Sequence, residues 1–447
     1  MTKLDQTNKR DNFTGLFGVI AAAAGSAIGL GNIWRFPYVL GDNGGGAFLL
    51  LYLGFIITIC VPVMLSELLI GRKAQLSIFG AFRKLAPGSL WWIIGLMGVA
   101  ASFMILSFYA VVAGWTLEYA FFALKNHFAG MTPAELKHTF DYLTGSTWRP
   151  VVFMLIFMFI TAIIVQSGIK KGIERYTKIL MPLLLVIILV LCVRSLTLDG
   201  ASAGLEFLFK PDFSAITTNT VMMALGQAFF SLSLGMGVMA TYGSYIKKRE
   251  SLGKTAVFVT ITDVFIAILA GIAIFPAVFA FGLQPGQESL EGPGLVFMIL
   301  PGIFNQMAGG YFFSVLFFFL LVIAALTSSI SLMEVVVAYF VEELKIKRVK
   351  ATWIAAASMS FLSALSAVDG RIFNFFENTS SNILLPLGGL LIVIFVGWFL
   401  GKKIVREELE ADGRVAFYFR LFVPAIRFLA PIAIAMVFLN ALGIIRF

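Results

Sequence analysis

The stretch AAAAGSAIGLGNIWRFP runs from Ala21 to Pro37 and decides how the rest of the chain is organised. It belongs to an apolar segment long enough to cross a bilayer, yet it contains Gly25, Gly29 and Gly31 beside a serine, an asparagine and an arginine. A glycine in a helix interior costs about 1 kcal/mol relative to alanine. Within a bilayer, backbone leaves the helix only where it lines a cavity enclosed by protein. The stretch therefore predicts a broken helix whose free carbonyl and amide groups bind a ligand.

The composition is that of a chain that crosses a membrane many times. Of the 447 residues, 60% are hydrophobic and 13% are charged, whereas a soluble domain carries about 25% charged residues. Cys60 and Cys192 both lie in apolar runs, which favours buried thiols over a disulfide. The first dozen residues are polar and the apolar run after them is too long for a cleaved signal peptide, so we expect none.

Eleven apolar segments are long enough to span a bilayer. In chain order they cover residues 13–38, 46–70, 90–123, 150–167, 174–195, 218–245, 252–282, 304–341, 351–366, 372–400 and 417–442. In the connecting segments we expect a short helix that begins near Thr132, where a proline follows a capping residue. Loop 283–303, which is rich in glycine and proline, is a candidate lid.

The basic residues indicate how the chain is oriented. Most of the 33 lysines and arginines lie in alternate connecting segments, beginning with the N-terminal one. Cytoplasmic loops of membrane proteins carry an excess of Lys and Arg, so we expect a cytoplasmic N-terminus and a C-terminus outside. The net charge of +9 is explained by this topology, and we expect no nucleic-acid partner.

A second interrupted segment occurs in the sixth span, where the chain reads QAFFSLSLGMG from Gln227 to Gly237. The first and sixth spans are five apart, as they would be if a unit of five spans were repeated once. Two interrupted segments at matching positions point to a transporter site at the interface of the repeats. Half-helix N-termini there offer amides to an anion and half-helix C-termini offer carbonyls to a cation, which would suit an amino acid bound beside Na⁺. Glycine-mediated helix packing is the alternative explanation.

Two further polar features lie in apolar spans. Thr327, Ser328 and Ser329 follow one another in the eighth span, where their hydroxyls could either bind a cation or bond back to their own helix. Asp263 is alone in the apolar stretch 257–281. An ionisable residue within a membrane span is a functional-site hypothesis by default, because burying it unpaired is costly.

The motifs GSAIGLGNIWRFP, NGGGAF, SLSLGMG and LTSS resemble the neurotransmitter:sodium symporter family on its bacterial amino-acid branch. The pattern is similar to that of transporters of tyrosine, tryptophan and other hydrophobic amino acids. The resemblance implies an all-α membrane fold of about 11 helices, a 5+5 inverted repeat with broken helices 1 and 6, in a bacterial inner membrane. It implies a cytoplasmic segment (1–12) and one transporter domain (13–442), divided into a first repeat (13–195), a second repeat (218–400) and an eleventh helix (417–442).

The same resemblance implies two sodium sites at mid-membrane. The second site maps to the carbonyls of Gly25, Ile28 and Ala324 and the hydroxyls of Thr327 and Ser328. The first site maps to the Ala27 carbonyl, the Asn32 amide oxygen, Ser231 and the substrate carboxylate. Where family members usually have an asparagine, this chain has Thr262 with Asp263 next to it, and we expect Asp263 to be the ligand.

Chloride dependence follows from that choice. Animal relatives need chloride beside the first sodium, and some bacterial ones use a glutamate at the position that is Ile266 here. Tyr52, Gln227 and Ser231 match parts of the chloride cage. We expect Asp263 to supply the negative charge, so that transport does not need chloride.

The substrate pocket implied by the resemblance has a polar end and an apolar end. Gly29 stands where monoamine transporters carry an aspartate, so the substrate should bring its own carboxylate, held by the Tyr109 phenol and the Gly31 amide. Ile105, Phe230, Met236 and Leu332 would form an apolar cup. The complete set is Ala27, Gly31, Ile105, Tyr109, Phe230, Ser231, Ser233, Met236, Ser328 and Leu332. We expect hydrophobic or aromatic L-amino acids.

Two gates are expected on either side of the pocket. Outside, Arg35 would pair with Glu377, although an arginine that snorkels to the interface is the simpler alternative. Inside, the resemblance implies a network of Arg10, Glu342 and Tyr245. In the fifth span, Gly172 and Pro182 either allow local unwinding that opens a water path to the second sodium, or only kink the helix.

The sequence therefore predicts Na⁺-coupled symport of an amino acid by alternating access, with two Na⁺ ions, no organic cofactor and no enzymatic activity. The partners are the substrate and the lipid bilayer, and a monomer is compatible with the sequence. An amino-acid receptor or exporter on the same fold is the main alternative. An ion channel is a weaker one, since nothing indicates a pore on a symmetry axis.

Overall fold

The structure is a computed structural model that describes residues 12–146, 148–283, 294–411, 414–415, 418–441 and 443–444. Arg10, residues 1–11 of the 1–12 segment and residues 284–293 of the predicted lid 283–303 lie outside the described residues. The spans are Leu16–Ala27 with Gly31–Asp42, Gly46–Ala74, Trp92–Leu124, Arg149–Gln166, Ile169–Leu196, Thr218–Ser231 with Val238–Gly243, Leu252–Ala280, Gly310–Glu342, Arg348–Val368, Gly370–Leu400 and Phe419–Asn440.

The number of spans agrees with the prediction. Within the described ranges, nine helices are long and apolar enough to cross a membrane, and the bent first pair makes a tenth. The sixth span consists of two short helices of 14 and 6 residues. Counted as one broken span, it completes the predicted eleven, and the all-α membrane fold is confirmed.

Both predicted breaks are present. In the first span, Ile28 is extended (φ −77°, ψ 95°), and the helix resumes at Gly31 with its axis turned by 49°. In the sixth span, Ser233, Gly235 and Gly237 all have positive φ, at 54°, 78° and 78°. At Gly235 a Cβ would lie 2.2 Å from the Leu385 carbonyl oxygen of the tenth span. Only glycine therefore fits this turn, which explains why the sequence needs it there.

One boundary differs from the sequence prediction. The eighth span was expected to begin at 304, but residues up to Gln306 belong to a separate helix, Leu295–Gln306, and the eighth span starts at Gly310. The turn between them contains Gly309 with φ +73°. Hydropathy does not register this turn because its only polar neighbours, Asn305 and Gln306, lie between long apolar runs.

The connecting segments hold short helices and one small strand pair. The helix Pro133–Gly145 begins at Thr132 with a reciprocal capping box to Glu135. The other helices are Ile78–Leu85, Ala201–Phe209 and Lys402–Leu409. The strands β1 (Glu410–Ala411) and β2 (Arg414–Val415) pair antiparallel, a small addition to the all-α expectation outside the spans.

The broken helices lie in the middle of the bundle. The first span packs against the fifth, seventh and eighth, and the sixth packs against the second. The third and eighth spans are 33 residues each and pack along one another beside the breaks. The backbone that leaves the helices is therefore surrounded by protein, as a bilayer requires.

Candidate functional site

The break in the first span lies against hydroxyl groups of the eighth. Thr327 Oγ1 is 3.3 Å from the Ile28 carbonyl oxygen and 3.1 Å from that of Ala324. Ser328 Oγ donates to the Ser26 carbonyl oxygen at 3.0 Å. Gly25 lies one turn earlier and packs against the fifth span. The structure thus brings Ile28, Ala324, Thr327 and Ser328 together, in a region rich in oxygen ligands of the type that hard cations prefer.

A carboxylate on an unbroken helix lies at the other side of this break. Asp263 of the seventh span is fully buried, and its Oδ1 accepts a hydrogen bond from Asn32 Nδ2 at 2.8 Å. Its Oδ2 accepts from Ser231 Oγ at 2.8 Å and from the Tyr52 hydroxyl at 3.5 Å. Thr262 Oγ1 instead donates to its own helix, at the Phe258 carbonyl. Of the two candidates, only Asp263 therefore faces the breaks.

No positively charged side chain neutralises Asp263 within the described ranges, where no lysine or arginine nitrogen lies within 4.0 Å of it. Three polar groups donate to it, namely Asn32, Ser231 and Tyr52. A buried carboxylate without a counter-charge is costly unless it meets a cation. The cluster is suited to binding one.

The predicted pocket is a cavity between the two breaks. Its walls contain nine of the ten predicted residues, together with Ser26 and Gly29: Ala27, Gly31, Ile105, Tyr109, Phe230, Ser233, Met236, Ser328 and Leu332. The tenth, Ser231, is buried beside the cavity and directs its hydroxyl to Asp263. Ser233 Oγ donates to the Ser26 carbonyl at 3.1 Å, which ties the two breaks together.

The two ends of the cavity differ in chemistry. At one end the Tyr109 hydroxyl oxygen accepts from the Leu30 N–H at 3.2 Å, so its own proton can be donated to an anion. The first amides of the resumed helix at Gly31 lack intrahelical partners and carry the positive end of the helix dipole. The other end is formed by Ile105, Met236 and Leu332, which are buried hydrophobic side chains.

Phe230 separates this cavity from a second one further along the sixth span. It lines both cavities, and the Arg35 guanidinium lies 4.7 Å from the centre of its ring. Arg35 also donates to Gln227 Oε1 at 2.9 Å, and Gln227 Nε2 donates to the Gly31 carbonyl at 3.0 Å. Arg35 and Glu377 form no ion pair within 4.0 Å among the described side chains. The structure thus places Arg35 on Gln227 and Phe230.

The predicted inner network has members that sequence reasoning missed. Tyr245 donates its hydroxyl to Glu334 Oε1 at 2.7 Å, and Arg348 forms an ion pair with the same carboxylate at 2.5 Å. Glu342 accepts from the Ser77 N–H at 2.5 Å, at the start of the helix Ile78–Leu85. Glu334 is an intramembrane carboxylate, which was a signal available in the sequence.

Glu67 was also missed. It is a fully buried carboxylate of the second span, and its Oε1 accepts from the Gly235 N–H at 2.7 Å. It therefore binds the broken part of the sixth span directly. Its position in an apolar span is again the signal that could have identified it.

Comparison with known proteins agrees with this geometry. The chain matches the profile of the "Sodium:neurotransmitter symporter family" over residues 10–139 and 134–446. It is 39% identical to YhdH, an uncharacterised sodium-dependent transporter of Bacillus subtilis (strain 168), over 96% of this chain and 97% of the relative. It is 36% identical to an uncharacterised sodium-dependent transporter of Haemophilus influenzae, over 97% of this chain and 98% of the relative.

A solved structure is similar over the whole fold. The crystal structure of MhsT in complex with L-phenylalanine covers 97% of this chain and 100% of its own, with a TM-score of 0.90 and 45% sequence identity. The relatives are sodium-dependent transporters and not enzymes. This protein is a membrane-embedded, sodium-dependent symporter that belongs to the sodium:neurotransmitter symporter family.

Proposed function

We propose that this symporter carries hydrophobic and aromatic L-amino acids into the cell together with two Na⁺ ions, and that it does not need chloride. The observation that carries the proposal is the buried Asp263 carboxylate, which joins the two broken helices without a lysine or arginine beside it in the described part of the chain. A cation and an amino acid that binds next to it would complete this arrangement.

The first sodium would bind to Ala27, Asn32, Ser231 and Asp263. In the structure the Asn32 amide nitrogen faces Asp263, and its oxygen accepts from the Gly29 N–H at 3.3 Å. When Na⁺ binds beside Asp263 in place of the Asn32 Nδ2–H donor, rotation of the Asn32 amide would turn its oxygen to the ion. The second sodium would bind to Gly25, Ile28, Ala324, Thr327 and Ser328, where carbonyl and hydroxyl oxygens supply the ligands.

Chloride independence is supported by the partners of the groups that would otherwise bind the anion. Ser231 donates its hydroxyl to Asp263, and the Tyr52 hydroxyl lies 3.1 Å from Ser231 Oγ and 3.5 Å from Asp263 Oδ2. The Gln227 amide nitrogen donates to the Gly31 carbonyl. These donors already have an acceptor, and the fixed negative charge of Asp263 would repel a chloride ion placed among them.

The substrate class is supported by the cavity and by a neighbour. The Tyr109 hydroxyl and the Gly31 amide would hold the carboxylate, and Ile105, Met236 and Leu332 would surround an apolar side chain. Methionine is flexible and polarizable, so it can adapt to side chains of different shape. MhsT, with which the chain shares 45% identity, binds L-phenylalanine.

Coupling would follow from sharing the broken segments. A sodium ion and a substrate that bind the same unwound backbone raise each other's affinity reciprocally. One positive charge that crosses 100 mV provides about 2.3 kcal/mol. Arg35, bonded to Gln227 and lying over Phe230, would close the outer side. Arg10, Glu342 and Tyr245 would close the inner side. The protein would act as a monomer in the bacterial plasma membrane, with its N-terminus in the cytoplasm.

The test is transport by the purified protein in liposomes. With Na⁺ outside and none inside, labelled L-phenylalanine should accumulate above its external concentration, in gluconate as well as in chloride. Binding without accumulation would support a receptor, and movement in the outward direction alone would support an exporter. A current without substrate would support a channel. Uptake that falls to background in gluconate would contradict chloride independence.

A further inference from the structure

The cytoplasmic half of the first span is fastened to the fifth span by one buried carboxylate. Glu174 is 2% exposed, and its Oε2 accepts from the Thr14 N–H at 3.0 Å. Its Oε1 accepts from the Thr14 hydroxyl and from Lys178 at 2.5 Å. Thr14 lies two residues before Leu16, where the first helix begins, so this carboxylate holds the point where the chain enters the first span.

The first span has a notch that receives this carboxylate. A Cβ on Gly18 would lie 2.2 Å from Glu174 Oε1 and 2.6 Å from its carboxyl carbon. Any side chain at Gly18 would therefore push the carboxylate away from Thr14. Gly15, three residues earlier, has nothing within 4 Å of a Cβ position, and its backbone is extended (φ −179°), so a glycine is not required there.

The first and fifth spans also pack against each other near the break in the first span, through the same helix faces. A Cβ on Gly25 would lie 3.3 Å from Thr177 and 3.5 Å from Met181. Gly18 and Gly25 are seven residues apart and lie on one helix face, as do Glu174 and Met181. The seam between the first and fifth spans therefore runs from Glu174 up to Gly25.

We propose that Glu174 is a positioning residue for transport, whose contact with Thr14 keeps this seam closed until the second sodium is to be released. The inference rests on the proposed function, since Gly25 and Ile28 are proposed ligands of that ion. Separation of the seam would expose their carbonyls to the cytoplasm. Glu174 acts through Thr14 and Gly18 and does not touch the ion.

Opening of the seam is measured by the rate at which a cysteine placed in it is alkylated. Thr177→Cys puts a thiol beside Gly25, and the native Cys60 and Cys192 are buried, so the parent chain supplies the blank. The protein is reconstituted in liposomes with its cytoplasmic side accessible and treated with N-ethylmaleimide in Na⁺ or in choline. The alkylation rate reports how often the seam opens.

Glu174→Gln and Gly18→Ala, each combined with Thr177→Cys, should raise this rate about tenfold, the ratio expected for loss of one hydrogen bond to a charged group. Thr14→Val removes only the hydroxyl of an exposed residue, so it keeps the fold and should give a smaller increase. Gly15→Ala should leave the rate unchanged. So should Glu206→Gln, which neutralises an exposed i,i+4 glutamate–lysine pair with Lys210 elsewhere in the chain.

Wild-type rates in Glu174→Gln, Gly18→Ala and Thr14→Val would overturn the proposal. The Na⁺ arm tests the proposed function separately. Slower alkylation of the parent Thr177→Cys chain in Na⁺ than in choline supports sodium binding that closes the seam. If Na⁺ has no effect but Glu174→Gln still raises the rate, the role of Glu174 in closing the seam is supported and the assignment of the second sodium site is wrong.

Discussion

The Asn32 side-chain amide lies 2.8 Å from the Asp263 carboxylate, Nδ2 to Oδ1, across the break in the first span. The second oxygen of the same carboxylate accepts from Ser231, the last residue of the first helix of the sixth span. One side chain on a continuous helix therefore binds to both broken helices. The charge of Asp263 should therefore affect both the affinity for a cation and the distance between the two breaks.

Asp263→Asn should raise the Na⁺ concentration needed for half-maximal L-phenylalanine binding by about tenfold or more, because a charged ligand is replaced by a neutral one. The measurement is a Na⁺ titration of labelled L-phenylalanine binding to purified protein. Thr262→Ala is the matched control, since that hydroxyl bonds only to its own helix. An equal effect of both substitutions would contradict the assignment.

The same substitution should create a response to chloride. In Asp263→Asn the hydroxyls of Tyr52 and Ser231 no longer donate to a charged acceptor, and an anion could take its place. We expect chloride to restore part of the binding relative to gluconate in this variant, while the wild type binds equally in both salts. A wild type that requires chloride would show that the fixed charge does not replace the anion.

Gly29→Ala should abolish substrate binding with little loss of stability. A Cβ at this position would lie 2.2 Å from Ser328 Oγ and 3.2 Å from the Tyr109 hydroxyl, so it would fill the polar end of the cavity. Ser328→Ala removes the nearest atom, and because Ser328 is also a proposed sodium ligand, the single variant Ser328→Ala is the reference. The double variant should bind labelled L-phenylalanine about as well as Ser328→Ala alone and better than Gly29→Ala, measured at saturating Na⁺. If Ser328→Ala bound substrate and the double variant did not, the steric explanation would be wrong.

The positions of the breaks could be predicted from the sequence, because glycines and polar residues within an apolar span have few other uses in a bilayer. The partner of a long side chain could not be predicted from the sequence. Arg35 was expected on Glu377, yet in the structure it bonds to Gln227 and lies over Phe230. Several acceptors lie within its reach, and only packing decides among them. Arg348 belongs to one of the basic connecting segments that indicate the orientation, while its pairing with Glu334 depends on how the sixth, eighth and ninth spans meet.

Gln227→Leu should therefore weaken the outer closure more than Glu377→Gln does. The leucine leaves Arg35 without its acceptor and frees the Gly31 carbonyl, whereas Glu377 makes no ion pair with Arg35 within 4.0 Å in the described structure. The dissociation rate of labelled L-phenylalanine at constant Na⁺ is the readout. Faster release from Glu377→Gln than from Gln227→Leu would indicate that the arginine–glutamate pair closes the gate.

Arg149→Ala should destabilise the protein by about 3 kcal/mol, because it leaves the Glu118 carboxylate buried without a counter-charge. The two side chains form an ion pair at 2.7 Å, with Glu118 fully buried. Arg371→Ala is the matched control, because its pair with Asp369 is of similar length, 2.8 Å, but its arginine is 92% exposed, and surface pairs contribute little. Adding Glu118→Leu to Arg149→Ala removes the unpaired carboxylate and should recover most of the loss in melting temperature, measured in detergent. A double variant as unstable as Arg149→Ala alone would mean that the loss comes from the packing of Arg149 against the rings of Phe122 and Tyr142 and not from the charge.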